Sequence, residues 1–278
     1  MTSEAPDEKK PVAPPDFKAA DYWEERLSAE FSLQGVGDIG LPLSYNRWLY
    51  RVRASAFRHM LRSLKGAPER GKVLDVGSGT GFYIDQWQRR KPASLTGSDI
   101  TETVVRNLSG QFPDAEFVQC DIGSDLPASL EPASFDAISA YDVLFHIVDS
   151  DAYARAMRNF ADLLKPGGYL IFSDNLVNSD QSHDRHQISR REGDVRDLLA
   201  SNGLVVEKIF PMFIFMNDPV RTRSRVMRAL FSRIYRVAAR GEGWGQVVGA
   251  LLYPIEVIAL RLMSRGPSTE ILICRRKV

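Results

Sequence analysis

Cysteine, histidine and any excess of one charge are all scarce in this chain of 278 residues. Its two cysteines, Cys120 and Cys274, exclude a disulfide framework and fit a reducing compartment. The four histidines, His59, His146, His183 and His186, do not combine with them in a metal-ligand spacing, so no metal is expected. Lysine plus arginine (36) nearly balances aspartate plus glutamate (35), a net charge of +1 that argues against a dedicated nucleic-acid binder. The opening residues carry no apolar run, so no secretory signal is expected. No uncharged apolar stretch reaches about 20 residues, the length a spanning helix needs. The expected location is cytoplasmic.

What is present is enough apolar side chain, 44% of the residues, for a full core. Residues 1–16 are rich in Pro, Asp, Glu and Lys and are expected to be a disordered tail. Helical spacing follows over 21–31 and again over 44–64, broken between them by Gly35, Gly37, Gly40 and Pro42; together 17–68 predict an N-terminal helical lid. From 69 to 211 the texture changes to short apolar runs, at 72–76, 94–98, 116–119, 135–140 and 169–173, separated by amphipathic stretches at 82–90, 102–112 and 151–164. Runs that do not alternate read as parallel strands buried on both faces, and strand–helix alternation implies an α/β doubly wound sheet. A helix at 192–201 and a strand at 204–210 continue the pattern. Residues 212–266 read as a helical insertion, and 267–278 carry one last strand at 269–274.

The chemistry concentrates at Asp75-Val-Gly77-Ser78-Gly79-Thr-Gly81-Phe82, a strand running through a glycine-rich turn into a helix. Glycines admit close backbone approach, and the following helix offers unpaired N–H groups. No Gly-Lys-Ser/Thr follows, which excludes a P-loop, and Phe82 stands where a dinucleotide fingerprint wants Gly or Ala. Asp75, just before the turn, would repel a pyrophosphate but suits a ligand carrying an ammonium group and a sulfonium. The second run ends at Asp99-Ile100, placed to accept hydrogen bonds from both hydroxyls of a ribose. The third ends at Asp121-Ile122, where a carboxylate could accept from an adenine amino group and the isoleucine flank the ring. The fourth exits through Tyr141 to His146, and Leu164-Lys-Pro-Gly-Gly168 leads into the fifth.

These motifs, in this order, resemble the class I S-adenosylmethionine-dependent methyltransferases, strongly over 71–175 and again at 204–210 and 269–274. The resemblance implies a Rossmann-like seven-stranded sheet whose last strand is antiparallel, with S-adenosyl-L-methionine as cofactor. Asp75, Gly77, Ser78, Gly79, Gly81, Asp99, Ile100, Asp121, Ile122 and Tyr141 are the candidate cofactor-binding residues. The lid and the insertion then form the substrate side, and the expected reaction is methyl transfer to a small-molecule acceptor, a hydroxyl oxygen of an amphiphilic or sugar- or lipid-linked metabolite. Transfer to nitrogen or carbon, or binding without turnover, stays open. No Asn-Pro-Pro-Tyr or Asp-Pro-Pro-Tyr tetrapeptide marks amino-group methylation of bases or glutamine.

His146 is the candidate base, beside the alternative of a packed helix-start histidine. His183 and His186, three apart, could share a helical face near the acceptor, or be solvated. Tyr22, Arg47, Tyr50 and Arg225 are candidate acceptor contacts, and Trp23 and Trp48 candidate lid aromatics. Seven arginines from 221 to 240, with no acid between Asp218 and Glu242, precede an apolar stretch at 247–263. Segment 221–263 therefore suits peripheral membrane contact, an acceptor pocket with a cationic rim or an oligomer face, besides ordinary packing.

Overall fold

The structure, a computed structural model, describes residues 17–65, 68–177, 181–184 and 186–278, with backbone alone at 181–184. The segment 1–16, expected to be a disordered tail, lies outside the described residues. Three helices come first: α1 (Ala19–Ala29), α2 (Leu33–Val36) and α3 (Leu43–Leu61). The core then alternates β1 (Lys72–Val76), α4 (Phe82–Gln88), β2 (Ser94–Asp99), α5 (Glu102–Gln111), β3 (Glu116–Gln119), β4 (Phe135–Ala140), α6 (Ser150–Leu163) and β5 (Leu164–Asp174). Three short strands follow, β6 (Leu176–Val177), β7 (Gln181–Asp184) and β8 (Gln187–Arg191), then α7 (Glu192–Ser201) and β9 (Leu204–Pro211). Two helices, α8 (Arg225–Ala238) and α9 (Glu242–Leu262), precede β10 (Glu270–Arg276).

The seven-stranded sheet has the order β3-β2-β1-β4-β5-β10-β9. β1 pairs in parallel with both β2 and β4, so the strand order reverses at β1 and opens a crevice at the carboxyl ends of these strands. β10 runs antiparallel between β5 and β9, as expected for the last strand. Burial explains the strand composition: Val73, Leu74, Ala137, Ile138, Leu170 and Ile171 are fully enclosed, with side chains covered on both faces. One face packs on α3 and α4 through Phe57, Met60, Ile84 and Trp87; the other packs on α6 and α7 through Met157, Phe160 and Leu199.

Two features depart from expectation. The polar stretch after β5 forms a small second sheet of order β6-β8-β7, so His183 lies in a strand and His186 in the adjoining turn. They share no helical face, and the side chain of His183 lies outside the described residues. The stretch has no apolar pattern of its own; β8 is held by its pairings and by buried Arg190, which donates to the carbonyls of Leu144 (3.4 Å) and Ile147 (2.5 Å) and lies over the Tyr153 ring. The insertion, too, is helical only from Arg225. Before that, Met212, Phe213, Ile214 and Met216 enter the core as irregular chain.

Such chain needs acceptors for its N–H groups. Glu256 of α9, fully buried, accepts from Ile214 N (2.6 Å) and Phe215 N (2.8 Å). Burial raises its carboxyl to about 7 despite these hydrogen bonds. At the other end of α9, Glu242 accepts from Leu43 N (3.0 Å) and Ser44 N (2.8 Å), satisfying the first turn of α3. Truncating Glu256 to alanine orphans two backbone donors, so the expected loss is about 2–6 kcal/mol of stability. Urea unfolding checks this: a change below about 1 kcal/mol would mean that the 212–216 segment does not depend on this carboxylate.

Candidate functional site

At the carboxyl edge of β1, β2 and β4 the structure encloses a cavity of about 570 Å³. The glycine turn forms its floor. Gly77, Gly79 and Gly81 all have positive φ (72°, 52° and 81°), the conformation that favours glycine. Their surroundings separate their roles. A Cβ on Gly81 would fall 2.5 Å from Phe112 and 2.9 Å from Leu108, so this glycine serves the packing of α4 on α5 and does not line the cavity. A Cβ on Gly77 would strike Val143. At Gly79 the nearest atom is Val36, 3.4 Å away, so the turn there faces the space beneath the lid.

Asp99 holds the turn in place. One carboxylate oxygen accepts from Gly79 N (3.0 Å); the other accepts from Thr101 N (3.0 Å) and Thr101 Oγ1 (2.9 Å). Burial raises its carboxyl, and the donated hydrogen bonds oppose the rise. Gly77 N and Ser78 N donate to Ser98 O (2.8 and 3.0 Å), which ties the turn to β2 by its backbone as well. Ile100, Asp121 and Ile122 also line the cavity. Asp121 is exposed and accepts from Gly123 N (2.9 Å) and Ser124 Oγ (2.8 Å), which sets the shape of its own loop.

Asp75 does not line the cavity. It is buried beneath the turn and accepts from Ser139 Oγ (2.6 Å), which in turn accepts from Trp87 Nε1 (2.8 Å). Burial drives its carboxyl up to about 7, Ser139 only partly countering it. The residue thus belongs to the support of the turn, since β1 continues for one residue before the chain opens toward the cavity.

The fourth strand delivers the next wall. Tyr141 stacks on Tyr83 with ring centroids 4.0 Å apart, and both hydroxyls are buried with no hydrogen-bond partner among the described residues. Asp142, with φ of 58°, pairs with Arg53 of α3 (2.7 Å) and accepts from Ser173 Oγ (3.1 Å). Burial opposes the charge on Arg53, but the Asp142 carboxylate more than offsets it and the guanidinium stays charged. Arg53 also lies over the Tyr50 ring (4.7 Å), and burial pushes the Tyr50 hydroxyl up to about 12.

His146 ends the short turn beyond β4. Its Nδ1 lies 2.9 Å from the carbonyl oxygen of His186. A carbonyl only accepts, so Nδ1 carries the proton and Nε2 keeps a lone pair. Burial holds His146 at about 4, well below the ordinary histidine range, so the ring is neutral near pH 7. The His186 ring stacks on it (5.3 Å, 9°), Tyr22 stacks on His186 (5.0 Å), and Trp23 meets His146 edge-on (5.0 Å).

α1 thus supplies one wall of the cavity, through Tyr22, Trp23, Arg26 and Leu27. Arg26 fastens it, donating to Gly37 O (2.7 Å) and Tyr22 Oη (3.2 Å), and Glu24 accepts from Thr103 of α5. Tyr22, Trp23 and Tyr50 line the space, while Trp48 packs on α9 against Tyr253. Arg47 and Arg225 stand on exposed positions outside it: Arg47 projects from the outer face of α3, and Arg225 begins α8, none of whose arginines lines the cavity. The expectation that they contact the acceptor is corrected accordingly. Arg26, Arg53, Asp142, Asn175, Asn217 and Thr269 line the cavity and were not singled out from sequence. Arg53 had a signal, three residues beyond Tyr50 on one helix.

Comparison with known proteins bears on the core. A family model described as a methyltransferase domain matches residues 73–168. The chain is 33% identical over 107 residues to a ubiquinone biosynthesis O-methyltransferase of Albidiferax ferrireducens, spanning 37% of this chain and 40% of that one. It is 36% identical over 110 residues to the protein of that name from Neisseria meningitidis serogroup C (37% and 44%). A tRNA N(3)-methylcytidine methyltransferase of Schizosaccharomyces pombe is 31% identical over 137 residues (46% and 43%). The chain thus spans less than half the length of the curated relatives it matches. Among solved structures, the fold is similar to an S-adenosylmethionine-dependent methyltransferase of Leishmania major, with TM-score 0.56 at 16% identity over 72% of this chain and 79% of that one. One from Mesorhizobium loti gives TM-score 0.50 at 17% identity, over 80% and 98%.

The state of Asp75 sets a pH dependence. Its folded value, about 7, lies above its ordinary 3.8, so between these values the folded chain binds more protons than the unfolded one. This contribution to stability is complete below the lower value and is lost as pH rises through the upper. Urea midpoints measured from pH 4 to 8 should fall more steeply in the wild type than in Asp75→Asn. Parallel curves would mean that Asp75 ionises in the folded state as readily as in the unfolded.

Proposed function

We propose that this chain, a member of the class I S-adenosylmethionine-dependent methyltransferase family, transfers a methyl group to a hydroxyl oxygen of a small, partly apolar acceptor. The observation that carries the oxygen reading is the hydrogen bond from His146 Nδ1 to the His186 carbonyl, which leaves a neutral imidazole with its Nε2 lone pair free to take a proton. The O-methyltransferase relatives support it through the shared core alone.

The cavity fits the donor. Asp99 spends three acceptor positions on Gly79 and Thr101, and a carboxylate has about four, so room remains for a ribose hydroxyl. Ile100 and Ile122 offer apolar flanks for an adenine, and the unpartnered hydroxyls of Tyr83 and Tyr141 offer polar contacts. S-adenosylmethionine supplies a methyl group already activated on a sulfonium. What remains for the protein is to hold an acceptor in line, exclude water and remove a proton.

Water is excluded by the lid, whose Tyr22, Trp23 and Tyr50 close over a wall that includes Phe82 and Phe145. These rings suit an acceptor with a flat or apolar body. The Arg53–Asp142 pair sits in the same wall and keeps Tyr50 oriented. His146 accepts the hydroxyl proton on Nε2, and the imidazolium so formed is stabilised by the His186 carbonyl on the other nitrogen.

Release of S-adenosylhomocysteine across a panel of phenols, catechols and hydroxylated lipids tests this, with the methylated position read by mass spectrometry. His146→Gln is expected to lower kcat about 10²–10⁴-fold with donor affinity little changed. His186→Ala keeps the backbone carbonyl and should retain most turnover. Methyl found on nitrogen or carbon, or full turnover in His146→Gln, would overturn the reading.

A further inference from the structure

The insertion before the last strand takes no part in the cavity walls beyond residues 217–220, yet it presents an unusual surface. Along α9, Trp244, Val247, Leu251, Ile255, Ile258 and Leu262 recur at three- and four-residue spacing, and all are exposed, Leu262 to 81%. Soluble surfaces scatter such residues singly; a continuous stripe marks an interface. α9 is also long and apolar enough, by length and composition, to cross a membrane. Its opposite face, however, packs on α3, with Gly249 against the Trp48 ring and Glu256 buried on the N–H groups of Ile214 and Phe215. A spanning helix would have to give up that face, so α9 lies along the protein surface.

Charge identifies what covers the stripe. Segment 219–263 contains eight arginines and two acids. Both acids point away from the outer face: Glu242 onto the N-terminus of α3 and Glu256 into the core. Of the arginines, Arg221 pairs with Glu192 and Glu270. Arg225, Arg228, Arg233 and Arg236 lie on one exposed face of α8 and form no ion pair among the described residues. Arg240 extends that face and lies 5.9 Å from the Trp244 ring at the head of the stripe. Val226 and Leu230 add exposed apolar side chains to α8 among these arginines.

We infer that α8 and α9 together form a docking surface for an anionic phospholipid bilayer, with the α9 stripe in the acyl boundary and the arginines at the headgroups. An apolar stripe edged by unpaired cations matches that interface; a nucleic acid needs the cations but leaves the stripe uncovered, and a second copy needs the stripe but repels through the cations. The surface adjoins the cavity. Tyr235 of α8 donates to Asp38 (3.4 Å), and Asp38 and the 73%-exposed Ile39 line the cavity rim. An amphiphile dissolved in the bilayer would thus meet the rim without crossing open water. The docking stands independently of the methyl-transfer reading.

Co-sedimentation of the full chain, without donor, with vesicles of phosphatidylcholine alone or mixed with phosphatidylglycerol tests it. Binding is expected to the mixed vesicles, to weaken with added salt, and to drop on the order of a hundredfold when Arg225, Arg228 and Arg236 are all changed to Gln. Leu251→Ser with Ile258→Ser should weaken it as well, with thermal unfolding unchanged because both side chains are exposed. Failure of the wild type to pellet with mixed vesicles would overturn the proposal. So would variants that bind like the wild type, a dimer that the Leu251 and Ile258 changes dissociate, or arginine-dependent binding of tRNA in place of vesicles.

Discussion

The hydrogen bond from Gly79 N to the Asp99 carboxylate is the constraint on which the site depends. It joins the glycine turn after β1 to the end of the neighbouring β2, at the edge of the crevice that the strand order opens. A turn with three left-handed glycines has a wide choice of conformations, and a buried carboxylate with a second oxygen fixed by Thr101 selects one. The same residue lines the cavity. Support of the turn and a place in the cavity wall therefore fall on one residue, which is why the turn and the second strand end must be read together. Asp75 works beneath it, locked to Ser139 and Trp87, and supplies stiffness without touching the space above.

A second set of contacts closes the space. The rings of Tyr22, His186, His146 and Trp23 form one cluster contributed by the lid, the small second sheet and the exit of β4. Each ring excludes water from its neighbours, and that exclusion is what keeps His146 neutral. Arg26 and Arg53 bring charge into the same enclosure, but each is tied down, Arg26 to the Gly37 carbonyl and Arg53 to Asp142. The enclosure is aromatic in its walls and polar only at fixed points, the pattern of a small-molecule site.

The parts visible in the sequence were those whose physics is local. Glycines at 77, 79 and 81 and strands without alternation declare themselves within a few residues; the seven-stranded sheet with its antiparallel last strand was what the family resemblance of these motifs implied, and the structure has it. The small second sheet was not visible, because Gln187–Arg191 has no apolar pattern and is held by partners distant in sequence. The arginines on α3 show the same limit. Arg47 and Arg53 flank Tyr50 at equal spacing, and what draws Arg53 inward is Asp142, 89 residues away. Gly81 looked like its two neighbours, yet it answers to Phe112 rather than to the cavity. The arginine run resolved into Arg221, spent on two buried or half-buried glutamates, and an outer face that stays free of ion pairs among the described residues.

The central claim is that Asp99 and the turn it holds are the donor site. A crystal structure of the chain with S-adenosylhomocysteine tests that most directly. The account predicts a ribose hydroxyl on the Asp99 carboxylate, the adenine between Ile100 and Ile122, and the sulfur on the side of the cavity lined by Tyr141 and His146. A nucleoside bound elsewhere, or one seated in the cavity with Asp99 still contacting only Gly79 and Thr101, would contradict it.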